Sequence, residues 1–169
     1  CQLADFSDFC RLAEETGSQV EKLGFVTTYL AGLANDDDRR IARAWLAGPR
    51  PKSSTLPVAT LRQTLLALPG AKMERYRELH AAHKDFLRCA RLILQDLPLQ
   101  PELLDLAGTE AFLAQMTESS RTLEGVRSLT QRLATLHPAE GETLLRLLSG
   151  DLRLGLSTEL PADPGEAKP

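Results

Sequence analysis

Residues 144–157, LLRLLSGDLRLGLS, carry side chains whose types and spacing suit the capture of a phosphate chain. Leu144, Leu147 and Leu148 recur on one helical face, and Gly150 follows where a left-handed residue ends a helix. Beyond it polar and apolar residues alternate. That predicts an extended run with Arg153 facing solvent and Gly155 leaving room for a ligand backbone. Exposed backbone N–H groups and one guanidinium can share a phosphate at such a junction. Covalent chemistry finds no comparable set. Spacing brings together no Ser–His–acid, Cys–His or carboxylate pair, and His80 and His83, one turn apart, lack a further metal ligand at ligand spacing.

The elements that must hold this stretch are helical. Of 169 residues 43% are hydrophobic but only 5% aromatic, so leucine and alanine fill the interior, and almost no segment shows strand-like Val/Ile/Thr alternation. The expectation is an all-α, compact multi-helix domain over residues 1–158, with 159–169 a linker or disordered tail. Leu3, Phe6, Phe9, Cys10 and Ala13 share one face of a first helix running to about Glu15. Thr16-Gly17 breaks it, and Ser18 with Glu21 fits a capping box for a second helix with Val20, Leu23, Thr27, Leu30 and Ala31 inside. Asp36, Asp37 and Asp38 suit the positive end of a third, with Ile41, Ala44 and Trp45 inward and Gly48-Pro49 as its stop. After a basic, Ser-rich loop, Pro57 opens a fourth with Leu61, Leu65 and Leu68 buried. From Lys72 to Asp96 the pattern is helical almost without a break, bending near His83, with Met73, Tyr76, Leu79, Phe86, Ala90 and Ile93 inside. Pro98 and Pro101 form a linker, then Leu103 to Met116, Thr122 to Leu136 (Leu123, Val126, Leu129, Leu133 and Leu136 inside) and Pro138 to Gly150 complete the set.

The formal net charge of −3 conceals a strong segregation. Residues 1–38 hold 2 basic and 8 acidic side chains, 39–91 hold 12 and 3, and 92–169 hold 6 and 12. With its counter-ions elsewhere in sequence, the basic middle third points to a polyanion partner rather than a merely solvated face. Cys1, Cys10 and Cys89 form an odd set without metal-ligand spacing, which fits reduced thiols and a cytoplasmic protein. A chain opening on Cys1 is read as a fragment of a longer protein, with a lipidated N-terminal cysteine as the alternative. No apolar run approaches the roughly 20 residues of a membrane span.

The chain also echoes itself. Residues 15–33 align with 118–136 at a constant offset of 103: Val20 falls on Leu123, Glu21 on Glu124, Val26 on Leu129, Leu30 on Leu133 and Leu33 on Leu136. One residue of slippage later, the run ending in Gly48 falls on the run ending in Gly150, and Pro51, beside Arg50, takes the place of Arg153. Two pseudo-symmetric halves follow, about 1–97 and 98–158. Loops related by an approximate two-fold suit a duplex, whose backbones are related in the same way.

These residues together resemble the N-terminal DNA-binding domain of ATP-dependent DNA ligases, over about residues 2–158. The run 147–157 is similar to that family's Leu-x-Gly-x-Leu-Arg-hydrophobic-Gly block, and Glu118-Ser119-Ser120-Arg121-Thr122 to its small polar run before the next helix. Residues 16–18 with Lys22, and 44–50, resemble the corresponding elements of the first half. The resemblance implies an all-helical clamp gripping nicked duplex DNA through backbone and minor-groove contacts. Its DNA-binding residues would be Thr16, Ser18, Lys22, Gly48, Arg50, Lys52, Ser120, Arg121, Gly150, Arg153 and Gly155. The chain departs from the family in three places: His83-Lys84-Asp85 keeps an Asp without the family's Gly, Asp151 stands where many members have a base, and Pro161 and the short tail replace a further helix.

None of Lys22, Lys52, Lys72, Lys84 or Lys168 stands in the family's adenylated Lys-x-Asp-Gly context. The expectation is therefore a non-catalytic, monomeric domain joined in cis to a catalytic core, with ATP and Mg2+ belonging to that separate part. It would serve DNA repair or replication, away from any membrane. The alternative is a helical protein-interaction scaffold whose basic face meets an acidic partner.

Overall fold

The structure, a computed structural model, describes residues 1–119, 122–150, 152–154 and 156. Among them the chain forms helices α1 (Leu3–Glu15), α2 (Gln19–Ala31), α3 (Asp36–Leu46), α4 (Val58–Leu66), α5 (Met73–His83), α6 (Phe86–Gln95), α7 (Leu106–Ser119), α8 (Leu123–Ala134) and α9 (Pro138–Ser149). A 3₁₀ turn, Lys52–Ser54, lies between α3 and α4. No strand occurs among the described residues, so the all-α expectation holds.

Local chemistry sets most of the bounds. Ser18 Oγ accepts the Glu21 N–H at the start of α2, Asn35 caps α3 through the Asp37 and Asp38 N–H groups, and Thr122 caps α8 through the Gly125 N–H. Pro57 precedes α4, and Pro138 is the first residue of α9, where a missing N–H costs nothing. The long helix expected from Lys72 to Asp96 is broken rather than bent. Lys84 takes a left-handed conformation (φ 53°, ψ 30°), and Asp85 then caps α6 by accepting the Leu87 N–H at 3.2 Å.

The core lies where the apolar stripes predict it in α1, α4, α6 and α9. Phe6 meets the edge of Trp45 with ring centroids 5.1 Å apart, and Phe9 stacks on Tyr29 at 4.5 Å. Elsewhere the register is corrected. In α2 the buried residues are Val26 and Leu30, while Val20, Thr27 and Ala31 face solvent, because that helix packs chiefly on α1 and α3. Ala44, Met73, Leu103 and Leu123, all expected inside, are exposed.

The internal echo reaches one helix further back than the sequence alignment that revealed it. The bounds of α1, α2 and α3 each lie 102 to 104 residues before those of α7, α8 and α9. The two triplets meet at their matched starts. Gln2 and Asp105, themselves 103 apart, form an isolated antiparallel bridge in which the Leu3 N–H donates to the Leu104 carbonyl and the Leu106 N–H to that of Cys1. An antiparallel bridge is two-fold symmetric locally, and here it joins equivalent positions. The third helices are exchanged across it: α3 packs on α7 and α9 on α1. Trp45 Nε1 in α3 donates to Glu110 in α7 at 2.7 Å, and the hydroxyls of Ser7 in α1 and Thr143 in α9 are 2.9 Å apart. Helices α4 and α6 brace the second triplet, α4 against α8 and α6 against α9.

Candidate nucleic-acid interface

The two glycine stops are backbone necessities. Gly48 (φ 126°) and Gly150 (φ 114°) end α3 and α9 in a conformation that L side chains rarely adopt. The loops that follow them touch. The Arg50 N–H donates to the Gly150 carbonyl at 2.7 Å, the Leu56 N–H to that of Leu148 at 2.8 Å, and a Cβ at Gly150 would lie 3.2 Å from the Thr55 methyl.

Each loop also reaches the helix junction of the other triplet. Thr16 ends α1, its hydroxyl donating to the Leu12 carbonyl, and Ser18 opens α2. From the first turn of α2, Lys22 Nζ donates to the Leu154 carbonyl at 2.8 Å, so residues separated by 132 positions share one place. Crosswise, Lys52 and Thr55 from the first loop line an open groove of about 820 Å³ whose other wall includes Thr117, Thr122 and Leu123, at the α7–α8 junction. Among the described residues no carboxylate lines that groove. A second depression, about 580 Å³ between α1, α6 and α9, carries both signs: Arg91 pairs with Glu142, and Arg146 with Glu14 and Glu142.

Of the residues expected to contact a ligand, the structure sets Lys22, at the α1–α2 junction that also holds Thr16 and Ser18, against the loop that carries Arg153, and joins the loop of Gly48, Arg50 and Lys52 to Gly150. Ser120, Arg121 and Gly155 lie outside the described residues. Arg153 sits between buried Leu152 and Leu154 and faces solvent as expected, but its backbone is not extended: its φ is 57°. Its guanidinium donates to Asp85 Oδ1 at 3.0 Å, the same oxygen that caps α6. Arg50 Nε is buried without a hydrogen-bond partner among the described residues.

Two side chains to which sequence reasoning gave no role hold the second loop. Asp85 is one. Arg146 is the other, its Nη1 donating to the Leu152 carbonyl at 2.7 Å while Nη2 binds Glu14 and Glu142. Burial lowers the pKa of Arg146, but the two carboxylates outweigh it and the net shift is upward. A signal for Arg146 was present: it stands alone as a cation in the leucine run 144–148.

The basic third is also less bare than its count suggests. Arg39 pairs with Asp36, Arg40 with Asp37, Arg75 with Glu78 and Asp96, and Arg91 with Glu142. The expectation that its counter-ions lie elsewhere is thus corrected for α3, whose own first turn supplies them.

The fold and this junction define an all-helical domain of two triplets whose glycine-stopped loops cross. Compared with known proteins, the chain matches the model of the DNA ligase N terminus family over residues 2–160, and it belongs to that family. It is 26% identical to a probable DNA ligase of Opitutus terrae, over 86% of this chain and 18% of that protein's length. No helix among the described residues is long and apolar enough to cross a membrane.

Proposed function

We propose that this domain clamps duplex DNA at a nick for a ligase, binding the backbones through the two crossed loop-and-junction patches without performing chemistry itself. The observation that carries it is the Lys22–Leu154 bond, which assembles a hydroxyl- and base-bearing helix junction and the Arg153 loop into one patch. Phosphate contacts from Arg153, Lys52, Ser18 and the backbone N–H groups of both loops give affinity that is steeply salt-dependent and nearly independent of sequence. Ligation, with its ATP and Mg2+, belongs to a catalytic core joined in cis. The buried, unpaired Cys10 and Cys89 fit a reducing cytoplasm.

Titration of a nicked duplex at two salt concentrations, alongside Arg153→Ala, tests this. Tight binding at low salt that falls steeply with salt, and weakens roughly fivefold in the variant, supports the clamp. Absence of binding at low salt overturns it and leaves a protein-binding scaffold in its place.

A further inference from the structure

The offset of 103 residues that relates the two triplets also pairs their cores. Val26 with Leu129, Leu30 with Leu133, and Leu33 with Leu136 are all buried. The same register pairs Val20 with Leu123, and this pair alone is turned outward: Val20 is 80% and Leu123 65% exposed. One exposed apolar side chain needs no explanation. Two at matched positions of a repeat, in the first two residues of α2 and of α8, lie where the helices outrun their packing partners, so internal packing does not account for their being apolar.

Resting on the DNA-clamp reading, we propose that Val20 and Leu123 are paired apolar contacts to the sugar walls of the duplex minor groove, one from each triplet. They supply the part of the affinity that salt does not screen. Their surroundings select that occupant. Val20 stands between Ser18 and Lys22, and Leu123 follows Thr122 on the wall of the groove that holds Lys52 and that no carboxylate lines among the described residues. A glutamate follows each, Glu21 and Glu124, about 100° further round the helix. An apolar side chain flanked by a carboxylate cannot sit on a phosphate. It suits the C–H surface of deoxyribose and base edge lying between phosphates that Lys52 and the hydroxyls hold. Minor-groove proteins commonly combine cations with apolar side chains in this way. The backbones of a duplex are themselves two-fold related, so equivalent side chains on two triplets joined through a locally two-fold bridge suit equivalent sugars.

The test is Val20→Thr and Leu123→Asn, singly and together, in nicked-duplex titrations across a salt series, with thermal unfolding as the check that the exposed substitutions leave the fold intact. The double variant is expected to bind roughly five- to tenfold more weakly at every salt concentration, with the slope of log K against log salt unchanged. Wild-type binding with an unaltered double variant overturns this inference and spares the clamp. A changed slope overturns it too, since the side chains would then act through charge. Failure of the wild type to bind DNA overturns both.

Discussion

On the proposed clamp reading, Asp85→Asn isolates an internal competition that DNA binding must win. In the free chain Arg153 Nη1 lies 3.0 Å from Asp85 Oδ1, and that oxygen also accepts the Leu87 N–H at 3.2 Å. A carboxylate therefore sits against Arg153 at a helix N-terminus, as a phosphate oxygen would. Any DNA phosphate that recruits Arg153 must first displace it. Both side chains are about half exposed, so the pair is worth roughly 0.2–1 kcal/mol, and removing it should tighten DNA binding about 1.4- to 5-fold at low salt. High salt should erase the gain, because it already screens an exposed pair. Asparagine caps a helix about as well as aspartate, so the unfolding midpoint should barely move. The assay is fluorescence anisotropy on a nicked duplex with Asp85→Asn, Arg153→Ala and the double variant. Release of Arg153 predicts that Asp85→Asn tightens binding in the wild-type background but not in Arg153→Ala. Equal tightening in both would reduce Asp85 to a general repulsive charge. Weaker or unchanged binding would refute the competition outright.

Four further outcomes follow from the backbone and the buried charge. Gly150→Ala should destabilise the domain by about 1–3 kcal/mol, through its φ of 114° and the 3.2 Å contact with the Thr55 methyl. Gly48→Ala meets the same strain in open space and should cost less, a difference read from urea midpoints. Lys84→Gly should raise stability by about 0.5–1 kcal/mol in the same assay, since it removes a left-handed side-chain residue at the end of α5. Burial pushes the Glu140 carboxyl up, against the pull of the His137 N–H it accepts. Its contribution is thus full below the unfolded pKa near 4.5 and lost as pH rises through the higher folded value. Glu140→Gln keeps the acceptor and should raise the melting temperature at pH 7 more than at pH 4.

Where sequence sufficed, the deciding physics was local. The caps at Ser18 and Thr122, the prolines opening α4 and α9, and the glycines ending α3 and α9 act within one turn, so the helix order was legible. The break at Lys84 was not, since neither glycine nor proline marks it. The family resemblance held the clue, because glycine commonly stands before that aspartate and the observed φ of 53° is one that glycine adopts freely. The outward turn of Val20 and Leu123 was hidden for another reason. Both continue an apolar stripe, and periodicity cannot say where a helix outruns its neighbours. The charge count misled through its window: a boundary between residues 38 and 39 cuts α3, separating Asp36 and Asp37 from the arginines they pair with.

The crossing of the loops has a consequence for how a symmetric clamp could recognise a polar site. Two identical patches related by a two-fold would hold a duplex equally well in either direction. Here the backbones match, with a left-handed glycine and a loop in each half, while the cations do not. The first loop offers exposed Lys52 and an Arg50 whose Nε is buried; the second offers Arg153 held by Asp85, with Arg146 and Lys22 spent on the loop's own carbonyls. Asp85 caps α6, which packs on α9 and has no counterpart in the first triplet. On the clamp reading, the shared backbone geometry provides the grip, and the connecting helices, by loading the second loop with a carboxylate that the first lacks among the described residues, provide its direction along the duplex.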